Sequence, residues 1–225
     1  MKLFVNDILI DVQRQPNNVP LADYTKQLTS LAQITAENLK GHVLILNAEP
    51  ASLAAIMRLM ELRRVSKLLR ITMVPQDYKA IREWVKTEYK VVKAGGGLVL
   101  KKGKVLMIYR LGRWDLPKGK LEKEETPVQG ALREVAEECN VKVTADEKLC
   151  STWHTYTDGG RRSIKKTTWF IMQCHDDALM KPQHEEGIED LRWMNPAELD
   201  KAIQNSYASI KHVVATYRDL IATAV

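Results

Sequence analysis

The feature that most constrains this chain is the stretch Gly119 to Val141, GKLEKEETPVQGALREVAEECNV. Glu134, Glu137 and Glu138 are spaced i, i+3 and i+4, so a helix projects all three carboxylates from one side. Val128, Leu132, Val135 and Cys139 follow the complementary spacing and offer an apolar face to a core. Local signals agree on a helix. Thr126 with Gln129 reads as a capping box, Pro127 falls at the first helical position, and Asn140 stands where a left-handed residue would end the helix. Like charges on one helix face repel, so the pattern is either a solvated acidic surface or a site for a hard divalent cation, which carboxylate oxygens suit.

The spacing G-x5-E-x7-R-E-V-x-E-E-x-N-V resembles the Nudix box, G-x5-E-x7-R-E-U-x-E-E-x-G-U with U apolar. Eight of the nine defined positions match. The departure is Asn140 in place of the last glycine, and Asn is the residue that best shares glycine's tolerance of the left-handed conformation. The resemblance covers about half the chain, from Val91 to Leu199, and implies an α/β/α sandwich with a mixed sheet. The strands read here at 98–101, 104–109, 149–156, 167–174 and 189–194 suit it.

The resemblance also implies a chemistry, hydrolysis of a nucleoside diphosphate linked to another moiety, with Mg²⁺ or Mn²⁺ as cofactor. Under it, Glu137 and Glu138 are the principal metal ligands and Glu134 is a further ligand or the general base. The Gly119 carbonyl is an additional oxygen ligand, and Arg133 and Glu125 form a structural ion pair behind the loop. Family members often recruit one more carboxylate from outside the box. Glu186 of the run His184-Glu185-Glu186-Gly187 is the choice here, with Glu185 the alternative. The segment WDLPKGK resembles the subgroup acting on dinucleoside polyphosphates and diphosphoinositol polyphosphates. In that setting Lys118, Lys120 and the basic stretch with Arg161, Arg162, Lys165 and Lys166, read as a hairpin-like loop, are candidate phosphate contacts. Trp153, Tyr156 and Trp169 are either a base-stacking set or core aromatics.

The remainder of the 225 residues reads as a second, smaller α/β domain over 1–90, ahead of a hydrolase domain over 91–225 that ends in a helix. Lys2 to Val12 suggests a hairpin around Asn6-Asp7, Leu21 to Leu39 has helical spacing, and His42 to Asn47 and Leu68 to Val74 read as strands. Helices are expected from Pro50, over Gln76 to Tyr89, from Asn195-Pro196, and over Ser206 to Ala224. No catalytic constellation stands out before residue 90, and the basic cluster Arg63, Arg64, Lys67 and Arg70 reads as a complement to a helix end. A net charge of +6 suits an anionic partner. It allows nucleic acid, although no platform of interleaved aromatic and basic residues favours it. A homodimer is also left open.

No apolar run reaches the ~18 residues of a membrane helix, and the start MKLFVNDILIDV is too polar for a signal peptide. Three cysteines without metal spacing point to a reduced, cytoplasmic protein. The rival class is a Nudix-fold ligand sensor, which the intact carboxylates argue against. An enzymatic rival acts on RNA 5′-pyrophosphates.

Overall fold

The computed structural model describes residues 1–14 and 21–223. They divide into two compact units, Met1–Val91 with Trp153–Ile164, and Val92–Thr152 with Lys165–Val225.

In the first unit, β1 (Lys2–Val5) and β2 (Ile8–Val12) form an antiparallel hairpin. Its two turn residues, Asn6 and Asp7, take φ of 49° and 65°, the primed turn that matches strand twist. Three parallel ladders follow. β5 (Leu68–Pro75) lies between β2 and β4 (Gly41–Ala48), and β3 (Lys26–Leu28) lies on the far side of β4. Parallel strands are buried on both faces, which is why HVLILN and LLRITMV read as nearly continuous apolar runs. Helices α1 (Pro50–Glu61) and α2 (Tyr78–Glu88) bury Leu53, Ile56, Met57, Met60, Ile81 and Val85 in the core of this unit.

The helix expected over Leu21 to Leu39 does not form. Single 3₁₀ turns at Leu21–Asp23 and Leu31–Gln33 flank β3 instead. Leu28 and Ile34 are buried while Leu31 is exposed, so the apolar residues serve a strand and a connecting segment, not a helix face. Tertiary pairing of Lys26–Leu28 with Val43–Ile45 overrides a weak local preference. Gly41 is needed here, with φ +68° and no room for a Cβ, which would lie 2.2 Å from Thr25 Oγ1. Of the basic cluster, Arg70 departs from a helix-end role and pairs with Asp11.

The second unit is a sheet sandwiched between helices. Its strands are β6 (Lys90–Lys101), β7 (Lys104–Arg110), β8 (Arg113–Asp115), β9 (Lys118–Lys120), the long hairpin β10 (Lys142–Asp158) and β11 (Arg161–Asp176), and β12 (Ile188–Met194). The order is β12, β7, β6, β11, β10, with β8 on β7 and β9 on β6. Alternation decides the layers. Leu98, Val105 and Met107 face a core shared with α4 (Pro196–Gln204) and α5 (Ala208–Thr223), and Val99, Leu106 and Ile108 face α3 (Pro127–Cys139). The expected strands, helices and α/β/α layering are therefore present, with longer strands than periodicity indicated.

One local reading changes, and one glycine run is explained. Gly95-Gly96-Gly97 lies inside β6. A Cβ on Gly95 would meet the Pro127 carbonyl oxygen at 2.5 Å, and one on Gly97 would meet Met172 Sδ at 2.7 Å, so the glycines let helix and strand approach. Residues 161–166 belong to β11 and not to a loop; only Gly159 and Gly160 form the turn. The hairpin tip counts with the first unit because Trp153 and Ile164 are buried in that unit's core. Among the described residues no helix is long and apolar enough to cross a membrane.

Candidate active site

The site is built on α3, and its ends are secured locally. Thr126 Oγ1 accepts from Gln129 N while Gln129 Oε1 accepts from Thr126 N at 3.0 Å, closing the capping box. Asn140 ends the helix at φ 51°, ψ 47°, the left-handed cap that the substitution for glycine had to supply.

The three carboxylates share one side of the helix but not one environment. Glu137 is exposed, Glu134 is half-buried, and Glu138 is only 1% exposed. The helix surface in the core is formed by Ala131, Val135, Glu138 and Cys139, with Leu132 only half-buried. Glu138 thus stands on the core side, where β6 and β9 meet the helix. Its Oε2 accepts the backbone N–H of Lys118 at 2.9 Å, and its Oε1 is 3.7 Å from the Arg110 guanidinium. Burial pushes the Glu138 carboxyl up to about 7, with the neighbouring Glu134 adding to the shift and Lys118 opposing it. Burial likewise raises Glu134; Arg133 works against that shift, while Glu137 and Glu186 reinforce it.

Arg133 organises the outer side of this cluster. Nε and NH2 grip Glu125 at 2.9 and 3.0 Å, NH1 donates to Glu134 and to Glu137 at 2.9 Å each, and NH2 also reaches the Lys120 carbonyl. Glu125 Oε2 in turn accepts from Glu122 N at 2.8 Å. The planar fork suits this bidentate grip in a way a lysine could not, and the pair holds the loop before α3 against the helix. Gly119 explains itself by contact, since a Cβ there would sit 2.0 Å from the Glu134 carboxylate. The β9 backbone therefore passes directly beside that carboxylate, with Gly119 paired to Gly95.

Glu186 comes to the same place from another direction. It ends a 3₁₀ turn, His184–Glu186, closed by Gly187 at φ 72°, and its Oε2 accepts from Arg110 NH2 at 3.2 Å. Arg110 so spans Glu186 and Glu138. Glu185 instead lines a cavity of about 410 Å³ with Glu137, Asn140, Lys181 and Gln183. Of the candidate phosphate contacts, Lys118, Lys120 and Lys165 lie in this unit. Lys165 is half-buried; that burial, then the charges of Lys118, Lys120 and Arg110, holds its ammonium below the ordinary lysine range. Lys118 Nζ is held by Asp115 and by the Leu116 carbonyl.

Arg161 and Arg162 belong to the first unit, where Arg162 NH2 bonds Glu61 Oε1 and the Tyr89 hydroxyl at 2.7 Å each and its guanidinium lies 4.7 Å from the Tyr89 ring centroid. Arg162 is thus already occupied. The base-stacking reading of Trp153 and Trp169 also fails, because both are buried and Trp169 Nε1 donates to Thr152 Oγ1 at 2.8 Å.

Sequence reasoning missed Arg110 and Asp115. Neither falls at a diagnostic spacing; each is placed by β7 and β8, so strand pairing and not periodicity would have found them.

Among the described residues no three acidic, histidine or cysteine side chains have closed to metal-holding distance. Arg133 draws Glu134 and Glu137 toward itself instead. The donor set nonetheless fits a hard divalent cation: carboxylate oxygens from α3 and Glu186, two of them in carboxyls raised by burial and mutual repulsion, stand beside the β9 backbone at Gly119. A cation would relieve the same repulsion that raises them.

The sequence profile of the family described as NUDIX domain matches residues 92–216. A "MutT-like protein" from Streptomyces ambofaciens is 30% identical over 119 residues, covering 52% of this chain and 71% of that protein. An "8-oxo-dGTP diphosphatase" from Proteus vulgaris is 45% identical over 47 residues, covering 21% of this chain and 42% of that one. The solved structure of a NUDIX hydrolase from Nitrosomonas europaea aligns with 18% identity and a TM-score of 0.49 over 58% of this chain and 90% of its own. With the box intact at eight of nine positions and the profile spanning residues 92–216, this chain belongs to the NUDIX family.

Proposed function

We propose that this chain is a divalent-metal-dependent pyrophosphohydrolase cleaving the phosphoric anhydride of a nucleoside diphosphate-X substrate, with dinucleoside polyphosphates preferred. The observation that carries the reading is the apposition of two charge sets. Carboxylates of graded burial on α3, with Glu186, lie in the same unit as Lys118, Lys120 and Lys165; Lys118 N–H bonds Glu138, and Lys165 is held below its ordinary range by burial and then by the charges of Lys118, Lys120 and Arg110. The lysine set calls for an anion with several phosphates, and the carboxylate set calls for the cation such an anion brings.

Glu137, Glu138, Glu186 and the Gly119 carbonyl would hold the ion, with Glu134 as a further ligand or as the base. A bound Mg²⁺ or Mn²⁺ supplies charge neutralisation, polarisation of the P–O bond and acidification of a water. The chain's own residues supply the rest. Glu134, with Oε1 bonded to Arg133, keeps Oε2 for a proton, and burial raises its affinity for that proton, the direction a general base needs. Lys118 N–H orients Glu138, Arg133 orients Glu134 and Glu137, and the lysines hold phosphates beyond the one attacked.

The test is a hydrolysis screen with Mg²⁺ and Mn²⁺ over dinucleoside polyphosphates, nucleotide sugars, 8-oxo nucleotides, diphosphoinositol polyphosphates and 5′-triphosphorylated RNA. Metal-dependent turnover with the highest kcat/KM on a dinucleoside tetra- or pentaphosphate is expected. A higher kcat/KM on another class would replace the substrate, and tight binding without hydrolysis of any pyrophosphate would mark the ligand-sensor class.

A further inference from the structure

The residue at which this chain departs from the box makes a contact that glycine could not. Asn140 Nδ2 donates to the Leu179 carbonyl at 2.6 Å. Beside it, the last carbonyls of α3 accept from the same segment: Lys181 N donates to Cys139 O and Gln183 N to Glu138 O, each at 3.1 Å. Helix ends leave such carbonyls without partners inside the helix, and here the segment from Asp177 to Gly187 satisfies them.

That segment is then tied at both ends. Asp177 is held by Lys101 and by Trp193 Nε1, and Gln183 O accepts from both Glu186 N and Ile188 N. Between these anchors the Leu179 side chain is 76% exposed, so at that residue hydrogen bonds hold the backbone, while Met180 packs against the core beside α3. Glu186 is three residues beyond the bond from Gln183 to the Glu138 carbonyl, and its carboxylate reaches Arg110 beside the Glu138 side chain.

We infer that Asn140 is a positioning residue: its side-chain amide ties the Asp177–Gly187 segment to the end of α3 and so holds Glu186 beside Glu134 and Glu138. The box position that elsewhere supplies only backbone freedom here supplies that freedom and a tether. The inference rests on the reading of Glu186 as a metal ligand given above.

Asn140→Gly isolates the tether, because glycine keeps the left-handed backbone and removes only the amide. In the full chain, Mn²⁺ affinity without substrate is read from the free-ion paramagnetic resonance signal, and amide hydrogen exchange is followed in parallel. Asn140→Gly is expected to weaken Mn²⁺ binding about 3- to 10-fold, the worth of one net hydrogen bond, and to speed exchange of the amides between Met180 and Gly187. Amides within α3 should be unchanged. In a Glu186→Gln background, Asn140→Gly should no longer alter Mn²⁺ binding, since the carboxylate it places is gone.

Unchanged exchange in the segment would overturn the inference, as would faster exchange throughout α3 or an equal loss of Mn²⁺ affinity in both backgrounds. If Glu186→Gln alone leaves Mn²⁺ binding intact, the metal reading of Glu186 fails; the tether is still decided by the exchange, so the two failures are distinguishable.

Discussion

The backbone N–H of Lys118 donates to Glu138 Oε2 at 2.9 Å, which locks the strand carrying Gly119 to the most buried carboxylate of the helix. The bond orients Glu138 without neutralising it, and burial leaves the group strained toward its protonated form. A cation site is expected to carry this kind of cost, stability surrendered in the metal-free protein for affinity in the loaded one.

Glu138→Gln separates the two sides of that trade. The amide oxygen can still accept from Lys118 N–H, but the charge that would hold a cation is gone. Turnover at saturating Mg²⁺ should fall roughly 100-fold or more, the scale of a lost metal contribution, while the metal-free protein should resist urea at least as well as the parent. Undiminished turnover would sink the role of this carboxylate.

The basic residues of β11 should part company. Lys165→Ser should raise KM, more for dinucleoside pentaphosphates than for substrates with a single anhydride, with the difference shrinking at high salt. Arg162→Ser should leave KM alone and lower the urea midpoint instead, because its guanidinium serves Glu61 and Tyr89. Half-exposed as that pair is, the loss should be about 1 kcal/mol or less. Steady-state kinetics at two ionic strengths, with denaturation alongside, distinguishes them; a KM effect from Arg162→Ser would reverse the assignment.

Removing residues 1–89 uncovers more than a linker. Trp153 and Ile164 lose the core in which they are buried, so the shortened chain should aggregate even though every box residue remains. Replacing Trp153 and Ile164 by Ser and Thr in the shortened chain should restore a monodisperse protein with metal-dependent hydrolysis of a generic pyrophosphate. Light scattering and turnover measure the two parts, and a folded but inactive product would show that the first unit completes the active site.

Asp11 sets a pH dependence in the first unit. Its Oδ2 accepts from Lys2, Gln13 and Arg70 at 2.8, 2.9 and 3.0 Å. Burial pushes this carboxyl up, but the bonds from Lys2 and Gln13 and the charges of Lys2 and Arg70 outweigh burial and hold it below 3.8. A carboxyl lowered on folding stabilises fully above its unfolded value, and that contribution is lost as pH falls through the folded one. Asp11→Asn should therefore cost about 1–3 kcal/mol at pH 7, discounted because Lys2 and Arg70 keep partial solvation. The gap between variant and parent should close below about pH 4, as urea midpoints across the range would reveal.

What the sequence determined by itself is local chemistry. The capping box at Thr126 and Gln129, the left-handed Asn140, the turn at Asn6-Asp7, and the i, i+3, i+4 carboxylates are each complete within one or two turns of chain, so no distant partner was needed to read them. Tertiary structure decided what depends on distant partners. Spacing assigns Glu134, Glu137 and Glu138 alike to one face; only the closeness of Gly95, Gly119 and β9 to the helix makes Glu138 the buried one and Glu137 the exposed one. Arg110 joins Glu138 to Glu186, 48 residues apart in sequence, because two strands pair. Leu21 to Leu39 carries a helical period but finds its lowest free energy as an edge strand on β4, and Arg162 is taken by a glutamate 101 residues away. Periodicity records which residues are apolar and charged, whereas desolvation and ion pairing depend on what the rest of the chain brings alongside them.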